Sequence, residues 1–276
     1  MSILIQSICL SYYALAAIIA SDAPSDRSII ESLKAQDFKI RSQQNPERFR
    51  MLEDIRVSGS AQFSNQSLRK IIERINARKQ YSIVIFDVRQ EMHLLGYNDL
   101  SSIIAEKDGS EINHALNFII RDEDALSKQG TLGREEIITQ ACGLQYVRIP
   151  VMDDSVPTRA DVDAFLNAYK EKTQQDPNTW FHVHCEHGHG RTTTFMSMLH
   201  ILNTQGKTSL SNILNEQQQN GGADLAFPSE QSADIKGADL QQKRYAFLEA
   251  FHHYVNDKKN GFATGKSWSE WQATIN

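Results

Sequence analysis

The stretch Trp180-Phe181-His182-Val183-His184-Cys185-Glu186-His187-Gly188-His189-Gly190-Arg191-Thr192-Thr193-Thr194 decides how this chain folds. Its first residues are apolar and aromatic, which is typical of a buried strand, and after Arg191 the apolar residues recur at helical spacing. The glycines between these parts allow the backbone to turn its N–H groups inward, and the start of a helix adds the positive end of its dipole. A strand, a tight loop and a helix in this order predict a cradle for an anion.

The same loop carries a candidate nucleophile. The field that binds an anion also lowers the pKa of Cys185, and the thiolate is the reactive form of cysteine. Arg191, six residues further on, can hold two oxygens of a tetrahedral phosphate with its planar guanidinium. Thr192 can donate its hydroxyl to the thiolate or to the leaving sulfur. A lone cysteine after a strand is more often a packing residue, but the spacing of cysteine, arginine and threonine favours phosphate ester chemistry.

Zinc is the competing interpretation, because the stretch is rich in metal-ligating side chains. The candidates are His182, His184, Cys185, His187 and His189. Alternation along the strand sends His182 and His184 to one face, and no second group of cysteines and histidines closes a tetrahedral site. We therefore expect neither a metal ion nor another cofactor.

The composition is that of a globular protein. The chain has 276 residues, of which 40% are hydrophobic and 23% charged, and its formal net charge is −5. This length suits one large domain, or one domain with a small insertion. The negative charge gives no indication of nucleic acid or acidic membranes as partners, so a polyanionic substrate must be met by local groups of basic residues. The three cysteines (Cys9, Cys142 and Cys185) do not form a disulfide framework.

The N-terminal residues 1–20 are open to two interpretations. Residues 3–20 are mostly apolar and uncharged, which favours a secretory signal and a periplasmic or secreted protein. However, no Lys or Arg precedes Ile3, and an N-terminal helix that packs on the domain is the alternative. In that case the protein is cytoplasmic or is delivered to a host cell by another signal. A membrane anchor is not expected, because the apolar run is barely long enough to span a bilayer. Residues 21–45 are polar and predict a linker with one short helix.

The rest of the chain alternates between strand and helix patterns. Strands are expected at residues 55–64, 81–87 and 144–150; helices are expected at residues 65–75 (capped by Ser64 or Asn65), 135–141 (closed by Gly143), from Thr158 (with a capping box to Asp161), from Ser209 or Ser211, and at 239–255. Residues 94–132 predict a small β-rich insertion, and residues 217–238 predict an exposed loop. The order implies an α/β fold with a largely parallel central sheet.

A general acid for the leaving oxygen is expected on the loop between Pro150 and Pro157. Asp153 and Asp154 lie on this loop after a strand, where a movable flap can bring a carboxyl group to bound substrate. Taken alone, two aspartates before a helix are better explained by capping and solvation.

Several separate motifs together resemble one family. The loop His184-Cys185-Glu186-x-Gly188-x-Gly190-Arg191-Thr192-Thr193 resembles the signature of the protein tyrosine phosphatase superfamily, and more narrowly that of the bacterial tyrosine-phosphatase-like phytases, which are cysteine-type inositol polyphosphatases. The other matching motifs are Phe49-Arg50, Ser58-Gly59-Ser60-Ala61-Gln62, Asp87-x-Arg89-Gln90-Glu91-x-His93 and Arg148-Ile149-Pro150-x-x-Asp153-x-x-x-Pro157-Thr158. The resemblance covers residues 46–256. It implies a protein tyrosine phosphatase-like fold for a domain at residues 46–276 that carries the insertion.

The resemblance also implies roles for individual residues. Cys185 resembles the nucleophile that forms a phosphocysteine intermediate, Arg191 the phosphate clamp, and Asp153 the general acid, with Asp154 as the lesser candidate. The implied substrate contacts are Arg50, Arg89, Glu91, His93, the loop residues Glu186, His187, Gly188, His189 and Gly190, and Lys243 or Arg244 on the late helix.

The chain departs from the family at two loop positions, and its insertion after His93 is shorter than in the phytases that it resembles. His187 and His189 stand where small or apolar residues are usual, and two titratable groups there favour acidic pH or an altered specificity. Their simpler role is bulk and solvation at the edge of the loop.

These observations predict a cysteine-dependent phosphatase that hydrolyses phosphomonoesters of inositol polyphosphates such as phytate. Two alternatives remain: a protein tyrosine or dual-specificity phosphatase acting on phosphoproteins, and a non-catalytic phosphate-binding module. The expected partner is a small polyanionic substrate, with no nucleic acid and no stable membrane insertion.

Overall fold

The computed structural model describes residues 38–42, 45–91, 93–96, 101–105, 132–226 and 235–275. The expected signal or helix at residues 1–20, most of the linker and much of the insertion lie outside these residues. The chain divides into two compact units. The first contains residues 1–46, 63–80 and 91–146, and the second contains residues 47–62, 81–90 and 147–276.

The strands and helices are numbered in chain order. The strands are β1 (Phe38–Ser42), β2 (Arg50–Leu52), β3 (Val57–Ser60), β4 (Ser82–Asp87), β5 (His93–Gly96), β6 (Ser101–Ala105), β7 (Leu132–Arg134), β8 (Gln145–Arg148) and β9 (Thr179–His184). The α-helices are α1 (Asn65–Ile75), α2 (Glu135–Ala141), α3 (Arg159–Gln175), α4 (Gly190–Asn203), α5 (Leu210–Gln219), α6 (Ile235–Asn256) and α7 (Trp268–Ile275). Short 3-10 helices occupy Glu53–Ile55 and Phe262–Thr264.

The first unit contains a four-stranded antiparallel sheet in the order β1-β6-β5-β7. Strand β1 corrects the expectation of a linker up to residue 45, because Phe38–Ser42 pairs with Ser101–Ala105. The two strands are far apart in the sequence, so their pairing depends on the partner strand. The polar segment itself carries no pattern that predicts a strand. Strands β5 to β7 supply the β structure expected near residues 94–132, while the boundaries of that insertion stay a prediction.

The second unit is built on a five-stranded mixed sheet in the order β2-β3-β9-β4-β8. Strands β3 and β4 both run parallel to β9, and β2 runs antiparallel to β3. The central strand β9 is buried along its whole length, as expected for a parallel strand flanked on both sides. The sheet therefore brings the ends of β3, β4 and β9 to one edge, where open α/β sheets place their ligands.

An apolar core fixes the helices of the second unit around this sheet. The ring of Phe86 on β4 lies 5.3 Å from Phe165 on α3 and 5.4 Å from Phe181 on β9. Phe165 in turn makes an edge contact with Phe195 on α4 at 5.2 Å. Each fully buried side chain of this kind contributes about 1.5–3 kcal/mol, so this cluster anchors the strand before the loop and the helix after it.

Helix starts are the best-predicted local features. Ser64 caps α1 and Thr158 caps α3 through the expected capping box with Asp161, and Ser209 caps α5. In each case a side-chain oxygen accepts a hydrogen bond from a backbone N–H group of the first turn.

The expected exposed loop at residues 217–238 is wrong at both ends. Helix α5 continues to Gln219 and α6 begins at Ile235, while Ala223 and Leu225 between them are buried. Helix α7 was not expected, and its Trp268 and Trp271 are buried among aromatic side chains. The polar composition of residues 217–238 did not indicate the helix ends and buried residues found there. Helix α7 depends on tertiary packing. Within the described residues, no helix is long and apolar enough to cross a membrane.

Candidate active site

The loop of residues 185–189 joins the end of β9 to the start of α4, as the sequence predicts. Its shape requires a glycine at position 188, and Gly190 lies against a flexible arginine side chain. Gly188 has a φ of 67°, and a Cβ at this position would lie 2.3 Å from the backbone nitrogen of Ala61. A Cβ on Gly190 would lie 2.3 Å from Nη1 of Arg244. The loop therefore packs directly on the end of β3 and on a cation from α6.

Cys185 is buried at the entrance to the loop and is surrounded by donors. Burial alone would raise the pKa of its thiol. The charge of Arg191, the hydroxyl of Thr192 and the backbone N–H groups of Thr192 and Gly188 outweigh this effect, so the pKa of Cys185 lies below its ordinary value. The Thr192 hydroxyl donates to Sγ at 3.1 Å. This arrangement favours a thiolate, which is the nucleophilic form.

Arg191 is buried and connects the loop to the segment that carries the candidate acid. Its Nη1 donates to the carbonyl of Val151 at 3.0 Å, and its Nη2 lies 3.1 Å from Oδ1 of Asp153. The Asp153 side chain is 53% exposed, so it can reach a molecule from solvent. The neighbouring Asp154 has a φ of 49° and makes no such contact with Arg191 within the described residues.

Arg50 lies against the loop, but its contacts are to the protein. Its Nη1 donates to the carbonyls of Gly188 at 2.8 Å and Arg48 at 3.1 Å, and its Nη2 donates to Oγ1 of Thr193 at 3.0 Å. Its residue surface is 4% exposed, and burial lowers its pKa to about 10 despite the nearby charge of Cys185. Arg50 therefore holds the loop in shape. The substrate contact that the sequence predicts for Arg50 stays a prediction.

Arg89 belongs to a buried network at the end of β4. Its backbone N–H donates to Oδ1 of Asp87 at 3.0 Å, and its Nη1 donates to Oε1 of Gln62 at 2.9 Å. The Nε of Arg148 lies 3.4 Å from Oδ2 of Asp87, and its Nη2 donates to the carbonyl of Gln90 at 3.0 Å. Asp87, Gln62 and Arg148 belong to the sequence motifs but had no predicted role, and the structure shows that they fix the position of Arg89.

On α6 the structure brings Arg244, and not Lys243, to the loop. The Lys243 side chain is 63% exposed and pairs with Asp239 one turn away at 2.6 Å. Arg244 is buried against Gly190. Burial lowers the pKa of Arg244, and the charges of Asp154, Asp153 and Cys185 oppose this effect. A helix presents adjacent residues to different faces, so the sequence alone could not choose between them.

The loop edge carries Glu186, His187 and His189. The Nε2 of His187 lies 3.6 Å from Oε1 of Glu186, and the carbonyl of His187 accepts a hydrogen bond from Arg48 at 2.8 Å. The carbonyl of His189 accepts from the backbone N–H of Thr193 at 2.9 Å. Arg48 was not among the predicted site residues.

Glu91 and His93 belong to the first unit. The Nε2 of His93 lies 2.8 Å from Oε2 of Glu135, and both side chains are buried. The Nδ1 of His93 lies 3.0 Å from the carbonyl of Glu91. The substrate contacts expected for these two residues stay a prediction.

A buried chain of hydrogen bonds joins β3 to β9 beside the loop. Trp180 Nε1 donates to Ser58 Oγ at 2.8 Å, and Ser60 Oγ donates to the Ala61 carbonyl at 2.7 Å. His182 lies between them, 2.9 Å from Ser58 through Nδ1 and 3.1 Å from Ser60 through Nε2. A carbonyl only accepts, so the Ser60 hydroxyl donates to Ala61 and the Nε2–H of His182 donates to Ser60 Oγ. Ser58 Oγ accepts from the Trp180 indole and shares a second hydrogen bond with Nδ1 of His182.

Within the described residues, no group of three or more His, Cys, Asp and Glu side chains is arranged to hold a metal ion. The bonds of His182 to two serine hydroxyls account for one of the histidines that suggested zinc.

Comparison with known proteins gives a family and its structures. The model of the protein-tyrosine-phosphatase-like phytase family matches residues 65–203, and the description of this family names inositol hexakisphosphate. The structure of such a phytase from Bdellovibrio bacteriovorus is 26% identical, with a TM-score of 0.65 over 85% of this chain and 94% of that one. The tandemly repeated phytase of this type from Mitsuokella multacida is 25% identical, with a TM-score of 0.67 over 85% of this chain and 48% of that one. These likenesses confirm the expected α/β fold.

A further relative is the effector protein hopD2 of Pseudomonas syringae pv. tomato. It is 25% identical over 181 residues, which is 64% of this chain. The chain spans only 34% of the length of hopD2.

Proposed function

Because the chain belongs to the protein-tyrosine-phosphatase-like phytase family, we propose that it is a cysteine-dependent phosphatase that hydrolyses phosphomonoesters of inositol polyphosphates. One observation carries this proposal: Arg191 joins the buried Cys185, whose pKa it lowers, to the carboxylate of Asp153 at 3.1 Å. Arg191, the phosphate clamp, thus interacts with both the nucleophile and the acid candidate. This argues against a non-catalytic phosphate-binding module, which needs only the clamp.

The first chemical step is transfer of the phosphoryl group to sulfur. The thiolate of Cys185 attacks phosphorus, an S–P bond forms, and the P–O bond to the inositol ring breaks. Asp153, in its protonated form, gives its proton to the leaving oxygen, which departs as a hydroxyl group. Arg191 and the inward N–H groups of the loop stabilise the charge that develops on the equatorial oxygens.

The second step regenerates the enzyme. Asp153, now a carboxylate, accepts a proton from a water molecule whose oxygen attacks phosphorus. The S–P bond breaks, inorganic phosphate leaves, and the sulfur departs as the thiolate that began the cycle. The hydroxyl of Thr192, 3.1 Å from Sγ, stabilises the charge on the leaving sulfur.

The preference for a polyphosphate is supported by cations beyond the clamp. Arg48 and Arg244 both contact the loop of residues 185–190, in a protein whose formal net charge is −5. A phosphotyrosine site needs few cations besides the clamp, whereas the neighbouring phosphates of an inositol ring must each be met by positive charge. The named activity of the phytases from Bdellovibrio and Mitsuokella supports the same substrate class.

We also propose that the protein acts outside the cytoplasm of the cell that makes it. The apolar residues 3–20 and the likeness to the effector hopD2 support this location. Sequencing the N-terminus of the protein from its native host tests one route. A start near Ala17 or Ser21 supports a cleaved signal, and an intact N-terminus together with retention in the cytoplasm contradicts the proposal.

Turnover of a chromogenic phosphoester tests the enzyme class. We expect the wild-type protein to release phosphate and the Cys185→Ser variant to bind inorganic phosphate without turnover. Lack of turnover by wild-type protein that still binds phosphate would instead support the binding module.

A further inference from the structure

We propose that His189 is a proton-dependent ligand for a second phosphate group of the substrate, beside the one held by Cys185 and Arg191. This inference rests on the proposed function, because it requires a substrate with more than one phosphate. It concerns the loop residue between Gly188 and Gly190.

The geometry is a set of cations that contact the loop backbone next to His189. Arg48 donates to the carbonyl of residue 187, and Arg50 donates to the carbonyl of residue 188, each at 2.8 Å. The guanidinium of Arg244 packs on the Cα of residue 190. Three guanidinium groups from three separate segments therefore contact the backbone on both sides of His189.

The side chain of His189 is available at this position. It is exposed, and within the described part of the chain it makes no hydrogen bond or ion pair. Its backbone is held by Thr193, whose N–H and hydroxyl both donate to the His189 carbonyl at 2.9 and 2.6 Å. A fixed backbone with an uncommitted imidazole suits a ligand contact. His187 differs, since its ring lies 3.6 Å from the carboxylate of Glu186.

Negative groups near the loop are directed to other partners. The Asp153 carboxylate lies on Arg191, and both Asp153 and Asp154 act on Arg244. The Cys185 thiolate is held by Arg191 and by the Thr192 hydroxyl. The charges that act on His189 are consequently positive.

This environment makes the charge of His189 depend on the ligand. Partial burial and the charges of Arg48, Arg50, Arg244 and His187 lower the pKa of His189 in the free protein. At neutral pH its ring is therefore neutral. A phosphate dianion beside the ring reverses the sign of the local field and raises the pKa of His189, so that binding takes up a proton. The protonated ring then donates from both nitrogens.

The sign of the pH dependence follows from this linkage. Affinity for a polyphosphate rises as pH falls through the window between the bound-state and free-state pKa values of His189. For one fully coupled proton, the dissociation constant changes roughly tenfold per pH unit in that window. Inorganic phosphate, which occupies only the Cys185 loop, should show a smaller dependence.

The test measures proton uptake on binding. Inositol hexakisphosphate is titrated calorimetrically into Cys185→Ser protein, in which neither turnover nor the thiolate contributes, in two buffers with different ionisation enthalpies. The same titration is made with Cys185→Ser/His189→Asn and, as a matched control, with Cys185→Ser/His187→Asn. The ligand's own protonation change is common to all three and cancels in the differences.

We expect the His189→Asn change to lower the proton uptake by a large fraction of one proton and to flatten the pH dependence of the dissociation constant. The His187→Asn change should have a much smaller effect. Equal proton uptake with and without His189, in proteins that bind the ligand, overturns this inference and leaves the proposed function standing. No binding of inositol hexakisphosphate by any of the proteins overturns both.

Discussion

Arg191 holds Asp153 and the backbone of the same loop at once: its Nη2 lies 3.1 Å from Asp153 Oδ1, while its Nη1 donates to the carbonyl of Val151 at 3.0 Å. The segment that carries the acid candidate is thus attached to Arg191, the proposed phosphate clamp. In the proposed function a bound phosphate brings oxygens to the same guanidinium, so substrate binding and the position of Asp153 are coupled. The coupling singles out Asp153, rather than its neighbour, as the group to test.

Replacing Asp153 with asparagine should slow turnover by about two to four orders of magnitude, the usual worth of a positioned general acid. The loss should be smaller for esters with a good leaving group, which need less help from a proton. Steady-state kinetics on an inositol phosphate and on a chromogenic ester measures both effects.

The matched control for this change is Asp154→Asn. Residue 154 has a φ of 49°, a conformation that asparagine tolerates as well as aspartate. The control should keep most of the activity. A larger loss in Asp154→Asn than in Asp153→Asn would show that Asp154, and not Asp153, is the general acid.

Replacing Thr192 with valine should shift the pH profile of the nucleophile. Valine keeps the shape of the side chain but removes the hydroxyl that donates to Cys185 Sγ. The pKa of Cys185 should rise as a result, so the acid limb of kcat/KM should move to higher pH. The pH dependence of alkylation by iodoacetate reports this pKa directly, and an unchanged profile would show that Arg191 and the backbone suffice.

Replacing Arg50 with lysine should lower kcat for every substrate by a similar factor. Lysine keeps the charge but cannot donate to Gly188 and Thr193 through a planar fork. Kinetics on inositol hexakisphosphate and on a chromogenic monoester distinguishes the two roles of this residue. A KM increase confined to the inositol substrate would return Arg50 to the substrate contacts that the sequence predicted.

Replacing Ser58 with alanine should destabilise the domain by about 1–3 kcal/mol, because the buried N–H of Trp180 loses its acceptor and Nδ1 of His182 loses its hydrogen-bond partner. Chemical denaturation measures the change, with the exposed Ser211→Ala as a control that should stay within about 0.5 kcal/mol of wild type. A loss of stability no larger than that of the control would contradict the importance of these buried hydrogen bonds.

Local features of the sequence predicted much of the fold. The loop after β9 was readable because Cys185, Gly188 and Arg191 impose their requirements within a few residues. The capping residues Ser64 and Thr158 act on the first turn of their own helices, and they too were readable. Both kinds of feature depend on interactions that close over a short stretch of chain.

Features that depend on distant partners were not readable. Phe38–Ser42 is a strand because residues 101–105 pair with it, and nothing in its own composition requires this. Arg50 looked like a free cation until its carbonyl partners were visible. The choice of Arg244 over Lys243 depends on the face that α6 turns to Gly190. These are consequences of tertiary packing.

Phosphate release from inositol hexakisphosphate tests the central claim most directly. We predict that wild-type protein releases inorganic phosphate from it, that Cys185→Ser releases none while remaining folded, and that acid quenching traps phosphate on the wild-type chain only. Salt should weaken the reaction by screening the attraction between substrate and cations. Efficient hydrolysis of phosphotyrosine peptides without release from inositol hexakisphosphate, or undiminished release by Cys185→Ser, would contradict the account.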